Sequence, residues 1–549
     1  MNQLAGRVDR VCEAMFGGWG HRGLKLAVFV AGAICCGFIS TQSGAFDTWD
    51  LRNYQFYSPY ALLNGRFAFD HAAAQIQTFL NPLPFVPFYW LVTHFKPVVA
   101  GFLMGAVHGL SAGFAFLVAL SVLARIPAAP RVFFALSCTV LGVYGPTFVA
   151  MLGGSGSDHV VCLFVLAAVY LLIRSVPADG EGQTGDMRAL VAGAVLLGIA
   201  AGLKLTGVVF LVGALMAVFA TRRGWASRFR DAGLLAFAGL VGLLISRGAW
   251  MSFLWRRYES PLFPFFNEWF GSPWFHDTNF ADARFVPDSL AGALLLPLRF
   301  FTNNDFTLLS HEFRDLRYSV IYGLLVIGLV VTLYRVIRPG QHAGYGWPRL
   351  DRRGQFLLIF SVVSYLIWQV KFAIMRYIVP LEFLAPILIV ILLQALLRNR
   401  RSALSVAAVA LVLVAIVVQP RSVMRRQWEG EYLQVQAPQL ENPESALVIV
   451  ANDRPWSYVI PFFQPEVRFI GLWNRFSRDE AKLRHRATDE MWEIVEAHQG
   501  PIYLLTSGGQ LDAARLHLPR YTTVRQRNRP QVVSAHEKSS LYLWRLRAR

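Results

Sequence analysis

Residues Leu190–Ala220 read LVAGAVLLGIAAGLKLTGVVFLVGALMAVFA. These 31 positions carry one ionisable group, Lys204. A helix needs about 20 mostly apolar residues to cross a bilayer. The run is too long for one crossing and suits two short spans bent at Ala201-Gly-Leu-Lys-Leu-Thr-Gly207. An ammonium inside such a run is costly, and it marks a functional position by default. The alternative for Lys204 is snorkelling to the interface.

The rest of the chain has the same character. Hydrophobic residues make up 55% of the 549 positions and charged residues only 16%, with mean hydropathy +0.42. Soluble chains average about 25% charged residues. A small soluble enzyme, a disordered chain and a secreted disulfide scaffold are excluded. A net charge of +18 on a soluble protein suggests nucleic acid. Here the low charged fraction argues for a membrane protein with charge confined to its loops, and no nucleic-acid partner is expected. The five cysteines show no CxxC pair and no metal-ligand spacing.

Apolar runs predict spans at 24–40, 98–124, 132–151, 159–173, 189–203, 205–221, 232–255, 318–334, 355–370, 378–397 and 403–419. Segment 79–95 is apolar but holds Pro82, Pro84 and Pro87, and reads as re-entrant or interfacial. Leaving it out places the connectors with Arg125/Arg131, Arg174/Arg188, Arg222/Arg223/Arg228/Arg230, Arg335/Arg338/Arg349/Arg352/Arg353 and Arg398/Arg400/Arg401 on the cytoplasmic side. Most of the +18 then faces the cytoplasm. Leu24–Ser40 follows Arg7, Arg10, Arg22 and Lys25, and has signal-peptide features with a weak cleavage site at Ser43-Gly44-Ala45. The runs that follow favour an uncleaved first span and a cytoplasmic N-terminus.

The expected fold class is mainly α: a polytopic membrane helix bundle of about 11 spans with a small C-terminal extracytoplasmic α/β domain. Residues 1–419 form the membrane module, with outer loops 41–97 and 256–317, and residues 420–549 form the outer domain. In that tail Ala446–Val450, Ile502–Leu505 and Leu541–Trp544 read as strands, and 478–497 and 508–517 as helical. The tail carries no phosphate-loop fingerprint and no nucleophile motif, so no catalysis is assigned to it.

Candidate chemistry lies on the outer side. Asp47 and Asp50 are three apart and share a face on a helix or turn. Two carboxylates there can hold a divalent cation such as Mg or Mn, or one can act as general base. Either can instead cap the helix expected to run through Tyr60. Asp158 follows the glycine-rich turn Gly153–Ser157 and begins a span; its alternative is also helix capping. His159 beside it is a hydrogen-bonding neighbour. Arg376-Tyr377 stands between two spans. Arginine binds phosphate in bidentate fashion, and the alternative is an interfacial anchor. The aromatic and proline-rich loop 256–317 suits either a lid or a membrane anchor.

Several motifs together resemble the GT-C superfamily of polytopic membrane glycosyltransferases, in particular its uncharacterised bacterial members. They are Asp47-x-x-Asp50 with Asn53-Tyr54, Tyr60-Ala-Leu-Leu-Asn-Gly-Arg66, Gln77-Thr-Phe-Leu-Asn-Pro82, Gly202-Leu-Lys-Leu-Thr206, Pro261-Leu-Phe-Pro-Phe-Phe-Asn267 and Arg376-Tyr-x-x-Pro380. The resemblance covers residues 24–400. It implies catalytic roles for Asp47, Asp50 and Asp158, with Asp47 and Asp50 as ligands if a metal is used. It implies donor-phosphate binding by Lys204, Arg376 and Tyr377, and substrate binding by Asn53, Tyr54, Arg66 and His159. The spacing departs from the Asp-x-Asp of metal-dependent members.

The implied activity is transfer of a hexose or pentose from a polyprenyl-phosphate donor to a glycan, lipid or protein acceptor, with inversion. The implied place is the outer, periplasmic face of a bacterial inner membrane. Two other classes compete: a transporter or flippase of lipid-linked sugars, and a non-enzymatic subunit of an envelope assembly. Transporters often show internal repeats, and none is seen here.

Overall fold

The computed structural model describes residues 21–177, 185–279, 282–302, 313–337, 350–451, 454–472, 485–507, 509, 511–512, 518–524, 530–534, 536 and 540–549. The expected helical stretches 478–484 and 513–517, and Arg7, Arg10, Cys12, Arg338 and Arg349, lie outside these residues.

Among the described residues eight helices are long and apolar enough to cross a membrane: Arg22–Ser43, Pro97–Val122, Ser157–Ser175, Trp225–Tyr258, Leu316–Tyr334, Arg352–Lys371, Met375–Leu396 and Arg400–Val417. Three shorter apolar helices, Ala128–Val143, Met187–Leu203 and Leu205–Thr221, fall on the remaining expected spans. A further short one, Leu290–Phe301, lies inside the expected loop 256–317. Segment 79–95 forms only a nine-residue helix, Val86–His94, behind a 3-10 turn at Leu83–Phe85. The chain is a multi-pass membrane protein.

The chain divides into two units. The first holds Met1–Ser43, Gly101–Arg247 and Asp282–Arg425. Its helices meet through small residues, because apolar side chains gain little from leaving lipid and close backbone approach must supply the packing. A Cβ on Gly198 would lie 1.9 Å from the Gly239 carbonyl oxygen, and one on Gly242 would lie 2.1 Å from that of Val195. These glycines join Met187–Leu203 to Trp225–Tyr258. Helix Val379–Leu396 is buried over most of its length, whereas Arg400–Val417 leaves Val409, Val412, Leu413 and Ile416 exposed.

The second unit holds Gly44–Ala100, Gly248–Ala281 and Arg426–Arg549. Its centre is a sheet with seven strands among the described residues: β1 Val435–Gln436, β2 Leu447–Val450, β3 Arg468–Gly471, β4 Ile502–Ser507, β5 Tyr521–Thr523, β6 Gln531–Ser534 and β7 Leu541–Ala548. The order is β1-β6-β7-β4-β2-β3, with β5 also paired to β7. β2 is parallel to both neighbours, with Leu447 opposite Arg468 and Ile502. Its four residues are all buried, as the apolar run predicts. Helix Arg486–Ala497 carries the chain towards β4 and buries Ala487, Met491 and Val495 at helical spacing.

The loop that follows the first span joins this sheet. His71 bridges Ile470 in parallel beside β3. Its amide donates to the Phe469 carbonyl at 3.0 Å, and its carbonyl accepts from Gly471 at 2.8 Å. An edge strand exposes unpaired backbone groups, and here the loop satisfies them. The second unit joins residues after Arg425 to two segments that precede residue 420 in the chain, Gly44–Ala100 and Gly248–Ala281.

Candidate functional site

In the first unit three helix ends bring together Asp158, Lys204 and Arg376. Helix Met187–Leu203 stops because Lys204 takes an extended backbone, φ −144° and ψ 118°. A 3-10 turn, Leu205–Gly207, then leads into the next helix, so the expected bend is present. Gly207 is needed there, since a Cβ would meet the Ala200 carbonyl oxygen at 2.9 Å. The break turns the Lys204 side chain to Asp158, with Nζ 2.5 Å from Oδ1. It also lies 4.2 Å from the centre of the Tyr377 ring. Cation–π contacts of this kind contribute about 0.5–2 kcal/mol.

Arg376 sits in the 3-10 turn Met375–Ile378, with Nε 3.9 Å from Asp158 Oδ2. Buried Trp368 fixes this turn by donating its indole N–H to the Ile374 carbonyl at 2.8 Å. Ala373 is held in the left-handed region at φ 49°, its amide bonded to the Trp368 carbonyl. Such a conformation costs on the order of 1 kcal/mol and persists only where surroundings enforce it.

Asp158 stands in the first turn of Ser157–Ser175, where Gly156 occupies the cap position, and no side-chain cap bond forms. Its carboxylate is 4% exposed and serves two cations. Lys204 and Arg376 keep 20% and 16% of their side chains exposed. A buried carboxylate thus orients two partly exposed cations.

Arg284, which the sequence did not single out, lies near Arg376 and Tyr377. It forms a fork with Asp282, at 2.7 and 2.6 Å. That hydrogen bonding holds the Asp282 carboxyl below the usual carboxylate range against the effect of burial. His159 does not join the group: its Nε2 meets the Phe148 carbonyl at 2.8 Å, and its ring is fully buried against His108 and Phe148.

In the second unit Asp47 lies just before the helical segment 51–63. The capping alternative for Asp47 does not occur, because the Thr48 hydroxyl accepts from the Leu51 amide at 3.1 Å. Asp50, the residue before the π-helical turn Leu51–Gln55, forms no side-chain cap bond. Asp47 Oδ2 is 3.0 Å from His536 Nδ1, and Oδ1 is 3.4 Å from Arg52 Nε. Burial pushes its carboxyl up, but the hydrogen bond and charge of His536, with Arg52 and Arg426, bring it below the usual range.

A resident cation does not fit these contacts. The Asp47 carboxylate already faces cationic groups, and among the described residues no cluster of three His, Cys, Asp or Glu is placed to hold a metal.

The other expected substrate residues are mostly buried. Asn53 is 1% exposed and bonds Gln77 Oε1 at 3.1 Å. Tyr54 packs edge-on against Phe85. Arg66 forms a fork with Asp70, at 2.9 and 2.6 Å, and also donates to the carbonyls of Pro465 and Val467. His536 was missed because it lies near no motif and its partner Asp47 is 489 residues away; Asp70 was missed although it stands four residues after Arg66, because that spacing alone does not announce a buried pair.

The aromatics of loop 256–317 divide: Tyr258, Phe263, Trp274 and Phe275 are buried, whereas Trp269, Phe270 and Phe301 are exposed. Phe79, Tyr258, Phe263 and Trp274 form a buried stack, and Asn267 donates to the carbonyls of Ser272, Phe275 and His276.

No family model matches the sequence, and no curated protein matches it. Among solved structures the chain is similar to the crystal structure of ArnT from Cupriavidus metallidurans bound to undecaprenyl phosphate, at 13% sequence identity and a TM-score of 0.46, over 94% of this chain and 97% of that one.

Proposed function

We propose that this protein is a membrane glycosyltransferase that moves a sugar from a polyprenyl-phosphate donor to an acceptor hydroxyl. The observation that carries the reading is the convergence of Lys204 and Arg376 on Asp158 at three helix ends. Two cations against one buried carboxylate suit a ligand that is a lipid with an anionic head. Arg376 offers a planar fork and Lys204 a compact charge, a pairing suited to phosphate oxygens. Tyr377 holds the Lys204 ammonium in place.

In this reading the acceptor oxygen attacks the anomeric carbon as Asp47 takes its proton, with Asp50 the second carboxylate of the loop. The bond from that carbon to the phosphate oxygen breaks, and configuration inverts. Lys204 and Arg376 stabilise the charge that collects on the departing polyprenyl phosphate. Asp158 keeps both cations oriented. Asn53, Tyr54, Arg66 and His159 serve the substrate by fixing the loop and helix that carry Asp47 and Asp158. The face concerned is the outer side of a bacterial inner membrane, with the N-terminus in the cytoplasm. The acceptor is a glycan, lipid or protein of the envelope.

The test is incubation of purified protein with polyprenyl-phosphate hexose or pentose, radiolabelled in the sugar, together with envelope fractions. Label should appear in an acceptor while free polyprenyl phosphate accumulates. Asp47→Asn should lower the rate at least a hundredfold, the range expected for loss of a general base. Passage of intact donor across vesicles without product would replace this reading with a transporter. Chelation by EDTA should leave the rate unchanged; its loss, restored by Mg or Mn, would return Asp47 and Asp50 to the role of cation ligands.

A further inference from the structure

The C-terminal domain carries no catalytic motif, yet one of its side chains reaches the candidate base. His536 follows β6, and its imidazole is fully buried. Its Nδ1 lies 3.0 Å from Asp47 Oδ2. Three other contacts fix its position. Arg52 Nη1 donates to the His536 carbonyl at 2.9 Å. The His536 amide donates to the Ser534 hydroxyl at 3.2 Å, which is itself 2.7 Å from the Tyr458 hydroxyl. The Tyr458 ring packs edge-on against the imidazole at 5.4 Å.

The loop side is fixed as firmly. The Tyr432 hydroxyl bonds both the amide and the carbonyl of Phe46, each at 3.1 Å. Asp47 is therefore held between residues of its own loop and residues of the tail.

Two atoms of this pair are left over. Asp47 Oδ1 and His536 Nε2 are buried and form no hydrogen bond with any described residue. Asp47 Oδ1 faces Arg52 Nε as an ion pair at 3.4 Å, without a hydrogen bond of good geometry, and buried polar atoms are normally hydrogen-bonded. Oδ2 is hydrogen-bonded to His536, whereas Oδ1 is held only by the charge of Arg52, so Oδ1 is the oxygen with capacity to accept a proton.

We infer that His536 is the positioning residue of the candidate base: its Nδ1–H fixes Asp47 Oδ2 and so presents Oδ1 to the acceptor hydroxyl. The inference rests on Asp47 being the base. It also assigns the C-terminal domain a part in turnover that its sequence does not advertise. The proton of the acceptor hydroxyl goes to Oδ1; His536 touches neither substrate nor reacting atom.

Three variants of the full chain test it in the labelled-donor assay: Asp47→Asn, His536→Phe and His536→Asn. Phenylalanine keeps the ring against Tyr458 and removes the donor. The Nδ2 of asparagine stands where the imidazole Nδ1 stood. His536→Phe should lower kcat roughly tenfold with donor KM unchanged, and His536→Asn should recover most of it. Equal activity in His536→Phe and the parent, beside an inactive Asp47→Asn, would overturn the inference and leave the base intact. Failure of His536→Asn to recover activity while it folds as the parent does would also overturn it, by reducing His536 to packing. An active Asp47→Asn would remove the base itself. If His536→Phe does not fold, the kcat of His536→Asn decides alone: near parental supports the inference, and a tenfold fall contradicts it.

Discussion

Arg66 meets four acceptor atoms, two on Asp70 and the carbonyls of Pro465 and Val467. Both charged side chains are nearly inaccessible, at 5% and 1% exposure. Asp70 also accepts from the Tyr57 hydroxyl and the Phe469 amide. Removing one member of a buried pair leaves the other uncompensated and costs roughly 3 kcal/mol or more. Arg66→Ala should therefore release residues 57–71 from the edge of the sheet. Arg66→Lys should fare little better, because an ammonium cannot reproduce the fork. Limited proteolysis of the two variants checks this: new cleavage is expected between Tyr57 and His71, and an unchanged digest would contradict it. At Lys204 the expectation is different. Lys204→Met leaves the buried Asp158 with Arg376 alone, so it should lower Tm as well as raise the apparent donor KM about tenfold, the worth of one charge-assisted contact. Donor titration measures it.

Among the elements, helix Arg486–Ala497 is tied to the rest of its unit by Glu490. That carboxylate pairs with Arg257 and lies 3.3 Å from His71 Nδ1. Burial raises its pKa, but the bond to His71 and the charges of His71 and Arg257 prevail and bring it down to about 2. A carboxyl depressed in the folded state stabilises fully above its unfolded pKa, and this is lost as pH falls through the folded value. The window thus runs from about 4.5 down to about 2. Parent and Glu490→Gln should differ in Tm near pH 6 and converge towards pH 2. A difference that persists at pH 2 would show that the contact is not ionic. Helix contacts in the first unit make a second expectation. Gly198→Leu places a side chain where even a Cβ meets the Gly239 carbonyl at 1.9 Å. Helices Met187–Leu203 and Trp225–Tyr258 would have to separate, and the Lys204 bend would move with them. Size-exclusion chromatography in detergent should show loss of the monodisperse peak.

For the whole molecule, the membrane helices were legible because hydropathy is a local property: each apolar run announces itself without reference to its neighbours. Lys204 was legible for the same reason, as one charge in 31 apolar residues. So was the bend beside it, from length alone. The composition of the second unit was not. His71 pairs with Ile470 and Asn53 accepts from Ser457 across some four hundred residues, and such pairings leave no periodic trace. Asp47 and Asp50 could be named as candidates, but nothing local distinguishes a cap from a base. Thr48 settles the cap of that segment through one hydroxyl. The second partner of Asp47, His536, lies 489 residues away.

In the proposed function the Lys204–Arg376–Asp158 group binds the phosphate of a polyprenyl lipid. The most direct measurement is equilibrium binding of polyprenyl phosphate and of the matching polyprenol to the purified protein and to Lys204→Met. The parent should prefer the phosphate by at least about tenfold, one charge-assisted contact or more, and Lys204→Met should lose most of this preference. Equal affinity of the parent for the phosphate and the alcohol would contradict it.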